Sequence, residues 1–368
     1  MRSQTFDHAV RRYVTPRAPA WLSCGAVPET IDSTLPEWLG PLLGLPELPG
    51  TGETLEVEGK RYLVDGGVLR AEAVVSADQA QTADAFGYKW HQVHSFESEN
   101  ALRRTREWLL ERYGDVAAAD WWDEYGDEPI LLDAGCGAAV SSLALFGPRL
   151  DSVRFVAADI SRAVDVAVQR CAARGVRAAF LQDDLTALPF RPGSVDAIFS
   201  EGVLHHTDST RNAILRIAPL LRSGGRFMFY VYRKKGPIRE FTDDYIRGLL
   251  QDMTPERAWK SVEPLTKLGI ALGELGVEVE VPEDIALLDI PAGRYDIQRL
   301  FYWHVAKAFH HPDLSFDEVN HINYDWYAPA NAHRQTPEEV RTWCAEAGLD
   351  IERERIEEAG ITVIARRR

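Results

Sequence analysis

From about residue 128 onward, short apolar runs alternate with longer segments whose apolar positions recur at helical spacing. ILLDA, VRFVAAD, VRAAFLQ, VDAIFS and RFMFYVY are almost continuously apolar, the pattern of strands covered on both faces. Between them lie the amphipathic segments SRAVDVAVQRCAARG, with Ser161 as candidate N-cap, and DSTRNAILRIAPLLRSGG, stopped by Gly224-Gly225. This alternation predicts an α/β doubly wound, Rossmann-like sheet. TPEEVRTWCAEAGLD predicts a helix capped by Thr336 and Gly348, followed by two last strands, IERERIEE and ITVIARR.

The flanking segments read differently. Residues 1–78 suggest a separate small module: a Pro/Gly-rich stretch leads into ETLEVEGKRYLVDGGVLRAE, two short β-like runs joined by turn residues. Residues 79–127 have helical spacing in part and suit a lid or linker. Residues 128–235 and 334–368 make the core, interrupted at 236–333 by a long insertion of mixed helices after the fifth strand.

The chemistry begins at ILLDAGCG. A β-like run ends in Asp133, a tight turn follows at Gly135-Cys136-Gly137, and a helix-forming run comes next. Glycine lets backbone approach a ligand closely, and a helix N-terminus offers unpaired N–H groups. The second strand ends in Asp159, about twenty residues on, where a carboxylate reaches ribose hydroxyls. Val140 stands where the dinucleotide fingerprint wants its third glycine, which disfavours an oxidoreductase. The third strand ends in Asp183-Asp184; a carboxylate there can accept from an adenine amino group, with the Leu185 N–H facing the ring. Three acidic strand ends suit a ligand with an amino acid, a ribose and an adenine and no phosphates. Asp184 is preferred over Asp183, which reads as a solvated neighbour.

LDAGCG, AADIS, QDDLTALPF, GSVDAIFSEGVLHHT and LLRSGGRFMFYVY resemble, in order and spacing, class I S-adenosylmethionine-dependent methyltransferases. The resemblance is nearest to the branch of the ubiquinone/menaquinone-biosynthesis and arsenite methyltransferases, and it covers roughly residues 85–235. It implies a seven-stranded sheet whose last strand is antiparallel, preceded here by a small N-terminal β module without zinc cysteines. It implies S-adenosylmethionine as cofactor, held by Asp133, Gly135, Gly137, Asp159, Ile160, Asp184, Leu185 and Ser200. Phe86, Tyr88 and Trp90 become candidate lid aromatics, Trp90 beside the cofactor. One departure stands out: that branch has glycine where Ala138 or Ala139 stands.

For catalysis, His206 or its neighbour His205, Glu201 and Tyr232 are the candidates, with His321 of equal rank to the last two. Arg233, Arg239, Tyr324 and Trp326 are candidate substrate contacts, Lys235, Tyr327 and His333 lesser ones, and Lys234 reads as solvated. No metal spacing is present. The net charge of −15 disfavours nucleic acid, and no run is long enough to span a bilayer. The four scattered cysteines and the absence of an apolar leader fit a cytoplasmic enzyme, and a homodimer is compatible with all of this. The expected reaction is methyl transfer to a small molecule enclosed by the insertion. Two alternatives stay open: cyclisation of the cofactor's own side chain, as in azetidine-2-carboxylate synthases, and a cofactor-bound scaffold without turnover.

Overall fold

A computed structural model describes residues 31, 34–72 and 75–368, so Cys24 and the N-terminal stretch read above lie outside the described residues. After a short helix α1 (Leu39–Leu43) come three strands, β1 (Thr54–Val57), β2 (Lys60–Asp65) and β3 (Val68–Ala71). Helices α2 (Ala77–His91) and α3 (Glu99–Tyr113) precede the core. The core runs β4 (Ile130–Ala134), α4 (Val140–Phe146), β5 (Arg154–Asp159), α5 (Ala163–Ala173), β6 (Ala178–Gln182), β7 (Val195–Glu201), α6 (Thr210–Ile217) and β8 (Leu221–Tyr232). The insertion holds α7 (Pro237–Leu250), α8 (Pro255–Glu274), a hairpin of β9 (Glu278–Val281) and β10 (Gly293–Asp296), α9 (Ile297–His304) and α10 (Phe316–Tyr327). α11 (Pro337–Glu346), β11 (Leu349–Ile356) and β12 (Gly360–Arg367) close the chain.

The strand order is β1-β2-β3-β6-β5-β4-β7-β8-β12-β11. β4 to β8 pair in parallel and β12 runs antiparallel to β8. Seven of these strands are the expected core. The sheet nevertheless has ten strands, because β3 pairs in parallel with β6 through Val68–Phe180 and its neighbours. Residues 54–71 therefore extend the core sheet. Their turn residues do form the expected hairpin, with a third strand added.

Side chains alternate between the faces of the strands. Leu131, Phe155, Phe199 and Met228 enter one core, with α3, α4 and α5. Leu132, Val156, Ile198 and Phe227 enter the other, with α1, α6 and α11. Neither face is left to solvent, which is why the strands read as continuous apolar runs.

Several local expectations shift. Ser161 accepts from the Ala163 N–H, but the cap position of α5 is Arg162. α6 ends at Ile217, and Gly224-Gly225 lie inside β8 instead of stopping the helix. The segment after α9 leaves the helix at Val305 although its pattern continues to His311. Thr336 forms a capping box with Glu339, as its spacing suggests, and Gly348 takes the left-handed turn just beyond the C-cap. Among the described residues no helix is long and apolar enough to cross a membrane.

Tyr62 on β2 holds the hairpin to the core by donating to Asp183 at 2.6 Å, beside an ion pair from Lys60. Removing one donor from a buried carboxylate costs about 1–3 kcal/mol. Tyr62→Phe is expected to lower the melting temperature and to speed amide exchange across residues 54–71. Unchanged exchange there would show that Asp183 does not anchor the hairpin.

Candidate functional site

The carboxyl ends of β4, β5, β6 and β7 open onto a cavity of about 660 Å³, roofed by α2, α3 and the insertion. Its core floor is Asp133, Gly135, Gly137, Asp159, Ile160, Asp184 and Leu185, all of them candidates from the sequence. Open α/β sheets bind ligands at this edge because the strand ends leave backbone groups and loops facing one crevice.

The glycine turn is built by close approach. Gly135 has φ +94° and Gly137 φ +51°, and a Cβ on Gly137 would come within 2.6 Å of Trp90 Nε1. Trp90 thus closes on the turn from α2, where it also meets Phe96 and His321 edge to face. Ala139 is held at φ +56° with no exposure, at one of the two positions where glycine was expected. Asp159 ties the turn to the next strand: its Oδ2 accepts from the Gly137 N–H at 2.8 Å, and its Oδ1 from Ser161. A carboxylate oxygen takes about two hydrogen bonds, so Oδ2 retains a lone pair for a hydroxyl. Asp184 accepts from Thr186 while also lining the cavity. Asp183 is not the solvated neighbour expected; it is buried against Tyr62 and Lys60.

Asp133 lies at the deep end. Burial pushes its carboxyl up to about 7; Ser142 opposes this by donating to it, while nearby Asp159 and Glu201 add to the rise. A cationic ligand group is what this carboxyl lacks. The acidic floor, the crevice and the glycine turn could hold S-adenosylmethionine: Asp133 would meet its ammonium, Asp159 its ribose, and Asp184 and Leu185 its adenine.

Other candidates fall elsewhere. Ser200 is fully buried and donates to the Ala134 carbonyl, so it fastens β7 to β4 and does not line the cavity. Arg233 points along the edge toward Glu357 and Glu358, outside the cavity. Tyr324 packs on Tyr88 and Trp259 away from it, and Tyr327 Oη accepts from the Lys307 backbone N–H at 2.7 Å and is likewise outside. His333 is outside too, its N–H on the His205 carbonyl. Lys234 is half exposed. Glu201 lines the cavity but is locked by Arg112 and by Tyr113 Oη at 2.6 Å, which leaves it poorly placed as a base. Tyr232 lines it with its hydroxyl donated to Asp325 at 3.1 Å, and burial pushes that phenol well above its usual range. Arg239 and Trp326 do line it.

His206 lines the cavity as well. Its Nδ1 lies 2.6 Å from the Asn331 carbonyl, which can only accept, so Nδ1 carries the proton and Nε2 a lone pair. Nε2 is buried with no partner among the described residues. Burial lowers the imidazole to about 4, although Asp325 pulls the other way, so the ring is neutral at pH 7.

The residue that sequence reasoning passed over is Asp325. It stands between Tyr324 and Trp326 in a segment whose aromatics drew attention instead. Burial would raise its carboxyl, but Lys89, Lys307 and His206 outweigh that and hold it well below the usual range. Lys89 from α2 pairs with it directly. Among the described residues no group of three or more metal-ligating side chains is assembled.

The raised Asp133 carboxyl has a consequence for pH. Its folded pKa of about 7 exceeds the ordinary 3.8, so the stability it contributes is full below about 4 and lost as pH rises through 7. Asp133→Asn is therefore expected to stabilise the ligand-free protein at about pH 8, an advantage that vanishes toward about pH 4 in thermal melts. Gly137→Ala is expected to displace Trp90 and weaken S-adenosylhomocysteine binding at least about tenfold by calorimetry.

Residues 132–229 match the family described as a methyltransferase domain. The chain is similar to an uncharacterized protein of Synechococcus sp., 38% identical over 113 residues, covering 29% of this chain and 26% of that one. It is also similar to an uncharacterized chloroplastic methyltransferase of Arabidopsis thaliana, 41% identical over 82 residues, covering 20% and 23%. The match thus spans about a quarter of the length of these curated relatives. A solved O-methyltransferase family protein from Burkholderia thailandensis is similar over 78% of this chain and 63% of its own, at 14% identity and a TM-score of 0.42. The segment carrying the glycine turn and the acidic strand ends is thus the part of the chain that matches a methyltransferase domain.

Proposed function

We propose that the protein transfers a methyl group to a small molecule held between the sheet edge and the insertion, with His206 accepting the acceptor's proton. Bound S-adenosylmethionine supplies an electrophilic methyl group on a sulfonium. The observation that carries the reading is a single cavity, lined at one end by the glycine turn and Asp159 and elsewhere by His206 and the aromatic residues of the insertion.

The chain's own work is positioning, exclusion of water and proton removal. Asp159 and the glycine turn fix one reactant. α2 shuts that end, with Trp90 on the turn and Phe86 edge to face with His206 at 4.8 Å. His206 is uncharged at neutral pH, its tautomer is set by Asn331, and its free Nε2 is a proton acceptor. Tyr232 backs the imidazole at 5.4 Å between ring centroids. An enclosed volume of this size suits a small acceptor better than a folded protein or a duplex.

Two measurements test this. Purified protein with S-adenosylmethionine and a panel of small acceptors is expected to yield S-adenosylhomocysteine only when an acceptor is present; methylthioadenosine formed without acceptor would replace methyl transfer with cleavage of the cofactor. With an acceptor in hand, His206→Gln is expected to lower kcat about a hundredfold or more with little change in cofactor affinity. Asp159→Ala is expected to abolish cofactor binding instead. A His206→Gln enzyme with unaltered kcat would remove the histidine from the chemistry.

A further inference from the structure

We infer that the insertion end of the cavity is an oxyanion subsite, so that the acceptor carries a carboxylate or phosphate group, bound at Lys307, Lys235 and the indole N–H of Trp326. The inference rests on the methyltransferase reading and deepens it by naming the acceptor's chemical class.

Charge at this end of the cavity is unbalanced. Lys307 and Lys235 both line the cavity, and Lys307 is only 7% exposed. Among the described residues the Lys307 ammonium has no hydrogen-bond acceptor and no carboxylate at ion-pair distance; its contact is the Trp326 ring, 4.7 Å below it. Lys235 donates to the backbone carbonyls of Glu358 and Ala359, which carry no formal charge, and lies 5.9 Å from the same ring. Arg239 is a third cation on that indole, at 5.2 Å, though it is paired with Asp243. Trp326 is 3% exposed, and its Nε1–H, a donor only, has no partner among the described residues. A buried donor or ammonium left without an acceptor is costly, and the number converging on one ring makes chance unconvincing.

The acids nearby do not serve. Asp325 is paired with Lys89, Glu357 with Arg355 and Glu358 with Arg233. Burial lowers both lysines to about 7; Asp325 opposes this at Lys307 and Glu358 at Lys235, while Arg239 adds to it at both. An entering oxyanion would restore their charge and supply the acceptor that the indole N–H lacks. The chain as a whole carries −15, so attraction of anions by net charge does not account for a cationic inner wall. Tyr302 and Trp303, with ring centroids 4.4 Å apart, supply flat apolar surface beside it, which suits an aromatic acid.

The test uses benzoate, phenyl phosphate and neutral benzamide as probes, titrated calorimetrically into the full chain saturated with S-adenosylhomocysteine. One of the two oxyanions is expected to bind at least about tenfold more tightly than benzamide. Which one does so distinguishes a carboxylate from a phosphate acceptor. Lys307→Met is expected to remove that preference while leaving S-adenosylhomocysteine affinity unchanged. Trp326→Phe, which keeps an aromatic ring and removes the donor, is expected to weaken oxyanion binding several-fold. Equal binding of benzamide, retained preference in Lys307→Met, or no oxyanion binding to the loaded protein would each overturn the subsite. Failure of S-adenosylhomocysteine itself to bind would overturn the underlying reading instead.

Discussion

A partly buried carboxylate at the cavity wall, Asp325, is the point through which lid, core and insertion are joined. Lys89 reaches it from α2, Tyr232 from β8, and it stands on α10 of the insertion. Lys89 and Lys307 hold its negative charge in place and Tyr232 donates a hydroxyl to it, so lid, core and insertion are drawn together at this point. The lid therefore closes over the glycine turn by electrostatics as well as by packing. The same carboxylate lies close enough to His206 and Lys307 to influence both. Cofactor end, proton acceptor and cationic wall share one anchor.

The sheet edge beneath that anchor owes its shape to small residues. Gly137 admits Trp90, and Gly135 admits Val203, whose side chain a Cβ would meet at 2.2 Å. Ala139 takes a left-handed conformation that costs an L-residue about 1–2 kcal/mol. Its methyl group is completely buried, which offsets part of that cost. The turn is thus more tightly filled than a third glycine would leave it. Asp159 then fixes the turn from below through the Gly137 N–H.

Much of the fold was legible because local pattern and burial agree: strands covered on both faces have no polar positions to hide them, and the Thr336 capping box announces its helix. The acidic strand ends were legible because strand, turn and helix N-terminus are contiguous in the chain. Asp325 was not, since an acid among aromatics in a helical segment is indistinguishable by pattern from one facing water. Ser200 and Arg233 were misplaced for the converse reason: their neighbours in sequence face the cavity, and the two-residue period of a strand turns them away.

The amino-acid sequence by itself determined the parallel core, the glycine turn and the acids at its carboxyl edge, all of which depend on residues a few positions apart. Tertiary structure alone decided that β1–β3 extend the sheet through a β3–β6 pairing and that Asp183 serves as their anchor. It also decided which of the insertion's cations lack a carboxylate. Pairing of charges across more than sixty residues is set by the packing of whole elements, and only the folded chain brings Lys235, Lys307 and Trp326 around one space while giving their neighbouring acids to other partners.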